Sequence, residues 1–395
     1  MAKVEINSVS NAVDFLESNN GKLIINIGFD AIGHVLAEFD NYARMLLTEE
    51  IAPDGAHIYM GPNEEFVGGI ADMYGETLCS NYILSPNSLE IVSFIAHYRP
   101  DLTVDVGISS SKIGPTNGVP CLPKFVQNKY FCYELITLQS IVDAQKAYYS
   151  RRMETYKSMP MAQRFPMTED LERLINAQDQ KIALIQYKDF ASSGGANAIN
   201  PDTYLPAMRY LKDLGYILVL AGRERYPESF SSVDVVNYAN SPLATFKNDL
   251  ILFSNANFSI TGPSGICQFA EIMGVPFVYT NNWQPLHPPF SPFCVCAPAV
   301  MKSQRNQKYL TFSEQRDIMD RVGICFPNEQ PYDVIAPDGN DILMATQEAV
   351  SLAENLAPLN ENQQRMKVLR PNDTLIESSL SRTSAAFLER YEKLL

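Results

Sequence analysis

Long apolar runs are missing from this sequence. Nowhere does an uninterrupted apolar stretch reach the ~20 residues that a membrane-spanning helix needs, and the opening segment MAKVEINSVSNAVDFLESNN carries acidic side chains and no apolar leader core. Neither a membrane segment nor a secretion signal is expected, and the chain reads as cytoplasmic. Basic charge is also short: 31 Lys and Arg stand against 45 Asp and Glu, for a net charge of −14. Nothing basic is clustered enough to neutralise a row of phosphates, which excludes a general nucleic-acid binder but leaves room for a local phosphate pocket. The seven cysteines are odd in number and lack framework spacing, and Cys294-Val-Cys296 has neither a second pair nor a histidine cluster beside it. That excludes a disulfide scaffold and a zinc module and points to a reducing compartment. There is no GxGxxG, no P-loop lysine pattern and no Asp-x-Asp pair in a suitable loop. The acidic pairs Glu49-Glu50 and Glu64-Glu65 read as solvated helix or turn residues, so no metal site and no cofactor is expected.

What is present is an alternation of strand-like and helix-like segments. At 395 residues, 46% of them apolar and 19% charged, the chain is too long for one comfortable core and rich enough for two. After a helix over 11–17, KLIINIG (Lys22–Gly28) is an apolar run of strand length. Apolar residues at Ile32, Val35, Leu36, Phe39, Tyr42, Ala43, Leu46 and Leu47 then repeat with the helical period. Strands are expected at 56–62, 82–86 and 102–107, with helices at 64–74 and 88–98 between them, and strands alternating with helices imply a parallel, doubly wound sheet. A loop without periodicity covers 109–123. A polar helical crossover, Met-rich in its middle, fills roughly 130–180 and carries no strand signal. A second sheet then begins with KIALIQYKD (Lys181–Asp189), a helix over 202–215, YILVLAG (Tyr216–Gly222) and DVVNY (Asp234–Tyr238). The expected domains are 1–178 and 179–395. Beyond Asn282, the Pro-rich 283–298 should hold neither strand nor helix for long. Helices are expected at 313–322, 341–356 and through 379–395, the last of these free to pack back on the first domain.

The segment that organises the second half is DLILFSNANFSITGPSGICQFAEIMGVPFVYTNN (Asp249–Asn282), read as helix, strand, tight turn, helix and strand. In such a βαβ unit the turn after the first strand aims free N–H groups outward at the start of the next helix, where an anion can sit. Gly262 and Gly265 would let the backbone approach a phosphate, Ser264 can donate a hydroxyl, and Asn281 and Asn282 follow the next strand on the same carboxyl edge, where ligands of open α/β sheets gather. The same residues also fit a compact turn with a serine helix cap. Two further candidates follow strand ends. His34 falls in the first turn of the helix after the opening strand, whose positive end favours the neutral imidazole that a general base needs. Arg223 follows YILVLAG and is expected to face a ligand, with Arg225 pairing on the surface. Trp283, the only tryptophan, fits a stacking platform and an interface plug equally.

Four pieces of the chain resemble a family. They are AIGHVLAEFDNYARML (Ala31–Leu46), YLPAMRYLKDLGYILVLAG (Tyr204–Gly222) with VDVVNYANSP after it, the stretch Asn248–Asn282, and more weakly LTFSEQRDI and NDILMATQEAV. In that order they are similar to bacterial glycosyltransferases encoded with surface-polysaccharide genes, distantly similar to the GT-B fucosyltransferases. The resemblance implies two Rossmann-like domains facing a cleft, the GT-B architecture, with a nucleotide sugar on the second domain and a glycan or lipid-linked glycan acceptor at the first. Where the family has His-x-Arg-Asp, this chain reads Gln186-Tyr187-Lys188-Asp189, which keeps a basic residue but replaces a guanidinium fork by a point charge. By carry-over Lys188 and Asp189 join Arg223, Gly262, Ser264, Gly265, Asn281 and Asn282 in the donor site. The base is His34, or failing that Glu38 one turn later. A nucleotide-sugar epimerase or hydrolase would instead need converging carboxylates, among which Asp189, Asp202 and Glu271 stand out. A third reading is a relative that binds without catalysis.

Overall fold

The computed structural model describes residues 2–25, 36, 40, 56–61, 63–66, 69, 81–105, 165–176, 180–189, 198–281, 289, 291–322, 331–369 and 379–395, and elements are numbered among these. The chain divides into two compact units, Met1–Met159 and Pro160–Leu395, both α/β and each built on its own parallel sheet. No described helix is long and apolar enough to cross a membrane.

In the first unit, β1 (Ala2–Glu5), β2 (Gly21–Ile25), β3 (Ala56–Gly61), β4 (Asn81–Leu84) and β5 (Thr103–Asp105) form a sheet in the order β1-β4-β3-β2-β5. Every pairing is parallel. Helices α1 (Val9–Ser18) and α2 (Ser88–Tyr98) cover it, and Ala12, Leu16, Ile91, Val92 and Ile95 close a core against Leu23, Ile58, Met60 and Ile83. Helix α1 starts where Ser8 accepts the Asn11 amide hydrogen, the reciprocal of the donor that a first turn leaves unmatched. The strand β1 was not expected from the sequence, because four residues ahead of the first helix carry too short a pattern to register. In the helix expected after KLIINIG, the two described positions Leu36 and Asp40 are helical and buried, one turn apart.

The second unit carries the larger sheet. Its strands are β6 (Lys181–Ile185), β7 (Tyr216–Leu220), β8 (Val235–Val236), β9 (Phe258–Thr261), β10 (Phe277–Thr280), β11 (Cys294–Ala297) and β14 (Arg382–Thr383), in the order β14-β11-β10-β9-β6-β7-β8. All are parallel. Strands buried on both faces read as continuous apolar runs, as KIALI, YILVL and FVYT do. On one face Ile185, Leu220, Ile260 and Val278 pack under α4 (Leu205–Asp213) and α8 (Gly339–Glu354). On the other lie α5 (Phe246–Asn255) and α6 (Cys267–Ile272), where the Phe246 and Phe253 rings meet Phe269 at 5.7 and 5.4 Å and the Cys267 thiol meets the Tyr279 side chain. Helices on both faces make the sheet doubly wound. Ahead of β6, α3 (Glu169–Ile175) follows a segment held on α5: Ser254 accepts the Phe165 amide hydrogen at 3.1 Å and Asn255 donates to the Phe165 carbonyl at 2.7 Å.

Three departures from the sequence reading fall after Asn282. Within the Pro-rich segment, Cys294–Ala297 is a fully buried strand paired with β10, since tertiary pairing supplies its backbone partners despite neighbouring prolines. A two-stranded antiparallel sheet, β12 (Val300–Ser303) with β13 (Tyr332–Ile335), flanks α7 (Phe312–Val322). The final segment is not one helix: a third capped helix, α9 (Glu361–Lys367), precedes the edge strand β14 and the short α10 (Ala385–Arg390). Phe387 and Leu388 of α10 pack with Val300 and Phe312.

Candidate functional site

The order of the larger sheet fixes where a ligand would sit. From β6 the chain winds outward through β7 to β8, then returns to the opposite side of β6 and winds the other way through β9, β10 and β11. At the carboxyl ends of β6 and β9 the connections therefore part, and in open α/β sheets the crevice between them is the binding place. The two segments that border it are Gln186–Asp189 and Gly262–Gly265.

Gln186 joins these segments. The residue is 2% exposed, its amide nitrogen donates to the Ile260 carbonyl at 2.8 Å, its Oε1 accepts the Gly262 N–H at 3.1 Å, and its Nε2 donates to the Tyr187 carbonyl at 2.7 Å. A Cβ on Gly222, which has φ of +96° after β7, would touch the Gln186 Cγ at 3.5 Å. Gly262 is committed within the protein on two sides: its N–H serves Gln186, and Ile199 Cδ1 packs where a Cβ would stand. Its lack of a side chain thus answers to packing.

Ser264 and Gly265 are partly buried, and among the described residues their amide N–H groups donate to nothing. Ser264 Oγ accepts the Ile266 N–H at 3.4 Å, while α6 begins only at Cys267, with Ile266 as a cap that supplies no side chain. Asn281 ends β10 in the left-handed region, φ 56°, and is 3% exposed, with its N–H on the Ala297 carbonyl at 3.0 Å. Its Oδ1 is buried and has no partner among the described residues. Beside it, the Tyr204 hydroxyl and Thr280 Oγ1 lie 2.6 Å apart, and Thr280 Oγ1 donates to the Thr261 carbonyl at 3.3 Å, tying β9 to β10 and to the turn that leads into α4. Asn282, His34 and Glu38 lie outside the described residues.

The three basic residues at this edge have different surroundings. Lys188 is partly buried, its carbonyl accepts the Ile199 N–H at 2.8 Å, and no described residue pairs with its ammonium. Arg225 is 86% exposed and reaches Asp189 at 3.5 Å. Arg223, which the sequence suggested as the ligand-facing arginine, turns its fork to Asp249, with Nη2 to Oδ2 at 3.0 Å and Nη1 to Oδ1 at 3.3 Å, and donates to the Gly222 carbonyl at 2.8 Å. Asp249 is fully buried and also accepts from the Tyr238 hydroxyl at 2.9 Å, a partnership that no local pattern signals because Tyr238 and Asp249 belong to different elements. Burial and then the Asp249 charge raise the Tyr238 phenol, which stays a protonated donor. Burial likewise pushes Tyr187 up to about 12, and its hydroxyl donates to the Arg225 carbonyl. Replacing Arg223 by alanine is expected to leave Asp249 undercompensated and lower unfolding stability by about 1–3 kcal/mol, a buried-pair loss discounted for the half-exposed guanidinium. Denaturant melts measure this; a variant of native stability with lost nucleotide affinity would return Arg223 to the ligand.

The carboxylates that an epimerase would draw on occupy separate environments: Asp189 pairs with Arg225, Asp202 is exposed in the turn 201–204, and Glu271 is buried on α6 near Cys267 and Cys294. Among the described residues no group of three His, Cys, Asp or Glu is placed to hold a metal ion.

No protein-family model and no curated protein matches the chain. Solved structures resemble it at low identity. A glycosyl transferase of family 9 from Veillonella parvula is 12% identical, over 85% of this chain and 96% of that one, with a TM-score of 0.43. The dodecameric iron-containing heptosyltransferase TibC of enterotoxigenic E. coli, in complex with ADP-D-beta-D-heptose, is 14% identical over 84% and 76%, with a TM-score of 0.46. E. coli ADP-heptose lps heptosyltransferase II is 12% identical over 84% and 99%, with a TM-score of 0.45. Likenesses this remote leave the function to the chain's own residues.

Proposed function

We propose that this chain is a glycosyltransferase that moves a sugar from a nucleotide-sugar donor to a hydroxyl of a glycan or lipid-linked glycan, on the cytoplasmic side of bacterial surface-polysaccharide synthesis. The observation that carries the reading is Lys188, whose ammonium has no partner among the described residues, set across the switch point of a Rossmann-ordered sheet from the Ser264 and Gly265 amides, which donate to no described residue. The resemblance of Asn248–Asn282 to the family's donor site supports it. In the reaction the acceptor oxygen bonds to the anomeric carbon as that carbon's bond to the diphosphate oxygen breaks. The electron pair leaves on the diphosphate, where fixed positive charge and N–H donors stabilise it. The acceptor proton passes to His34, or to Glu38 in its place. Lys188 and the amides supply the charge compensation, so neither metal nor cofactor is required.

Incubation with a panel of UDP-, GDP-, ADP-, CDP- and dTDP-sugars tests this. Nucleotide release that depends on an added hydroxyl acceptor and survives a chelator is the expected result. Equal release without acceptor would make the protein a hydrolase, an altered sugar with its nucleotide retained would make it an epimerase, and binding without turnover would make it a non-catalytic relative.

A further inference from the structure

One buried carboxamide belongs to two loops at once. Between β6 and β9 the bond from the Gln186 amide to the Ile260 carbonyl lies at the end of the ladder, and beyond it the backbones separate. The Gln186 side chain spans the gap that follows, taking the Gly262 N–H on Oε1 and giving Nε2–H to the Tyr187 carbonyl. Tyr187 carries the connection onward, because its hydroxyl holds the Arg225 carbonyl and its ring packs edge-on to Phe230 at 6.1 Å. The segments after β6, β7 and β9 thus form one hydrogen-bonded frame around the switch point, with Gln186 at its centre.

We infer that Gln186 is a positioning residue that sets the separation between the Lys188 segment and the Gly262–Gly265 turn, and so shapes the seat of a nucleoside diphosphate. The inference rests on the transferase reading above. Its chemistry is specific. The site needs one acceptor and one donor on a single buried group; an ionised glutamate offers acceptors alone and leucine offers neither. Losing the group leaves the Gly262 N–H and the Tyr187 carbonyl without partners in a buried place, where unmade hydrogen bonds are expensive, and the two segments relax to find others.

The test measures affinity for ADP, GDP, UDP and CDP by calorimetry, with Gln186→Leu compared with Leu352→Ala, a core truncation in the last turn of α8 that lowers stability without touching this frame. In Gln186→Leu, affinity for whichever diphosphate the native protein binds is expected to fall at least about tenfold, more than one lost hydrogen bond's typical share. Amide exchange across 262–265 should quicken in the absence of ligand. In Leu352→Ala both readouts should stay at native values. Should Gln186→Leu fail to fold, Gln186→Glu keeps the shape and the acceptor and is expected to show a smaller loss in the same direction. Native affinity and native exchange in a folded Gln186 variant would overturn this inference alone. A native protein that binds none of the four diphosphates would overturn the nucleotide reading, and the inference with it.

Discussion

Replacing His34 by alanine is expected to lower turnover about 10²–10⁴-fold, the usual contribution of a general base, while nucleotide affinity stays near native. The argument is positional. His34 follows the apolar run that contains β2, within the Gly-His piece that resembles the family, and the donor candidates all belong to the second unit. Loss of the base then slows the chemical step and leaves donor binding alone. The rate should also fall on acidification, because a protonated imidazole can no longer accept a proton from the acceptor. Steady-state kinetics over a pH series, with melts of both proteins, separate this from a structural histidine, whose loss lowers thermal stability and spares the turnover of the folded fraction. If the alanine variant kept most of its turnover at neutral pH, the same measurement on Glu38→Gln would decide whether the role moves to that residue.

Lys188→Ala is expected to weaken nucleoside-diphosphate binding by about 1–3 kcal/mol, the worth of a charge-assisted hydrogen bond. Of the three basic residues at the carboxyl edge, Lys188 alone has no described anionic partner; Arg223 is held by Asp249, and Arg225 stands against Asp189. Lys188→Arg should preserve or strengthen binding, since a guanidinium can grip two phosphate oxygens in a plane where an ammonium offers a point charge. Calorimetry on the three proteins gives the answer, and wild-type affinity in the alanine variant would make Lys188 an ordinary loop lysine.

The strands that were legible share one property. KIALI, YILVL and FVYT are buried on both faces and read as near-continuous apolar runs, FSIT is a short buried strand rich in β-branched and aromatic residues, and turn residues close each one. The elements that were missed either lack that signature or carry it beside a stronger contrary signal. CVCA is apolar but sits among prolines, β14 is two residues at the sheet edge, and β12 and β13 pair with a helix between them in the chain. The site divides in the same way. The GPSG turn and the residues closing β6 and β7 were visible because position after a strand is a local fact. Gln186 was seen only as a departure from the family pattern, and nothing local marks Tyr204 as the partner of Thr280 or Tyr238 as the partner of Asp249.

By itself, then, the sequence determined strands such as β6, β7, β9 and β10 and the loops that follow them, because periodicity and turn chemistry act over a few residues. Tertiary structure alone decided the order of the larger sheet, and with it the switch point between β6 and β9. It alone decided that Gly262 yields its amide to Gln186 and that Asp249 takes the Arg223 fork. The reason is physical: a buried hydrogen bond or ion pair forms between groups dozens of residues apart, once packing has removed the water that would otherwise satisfy each of them.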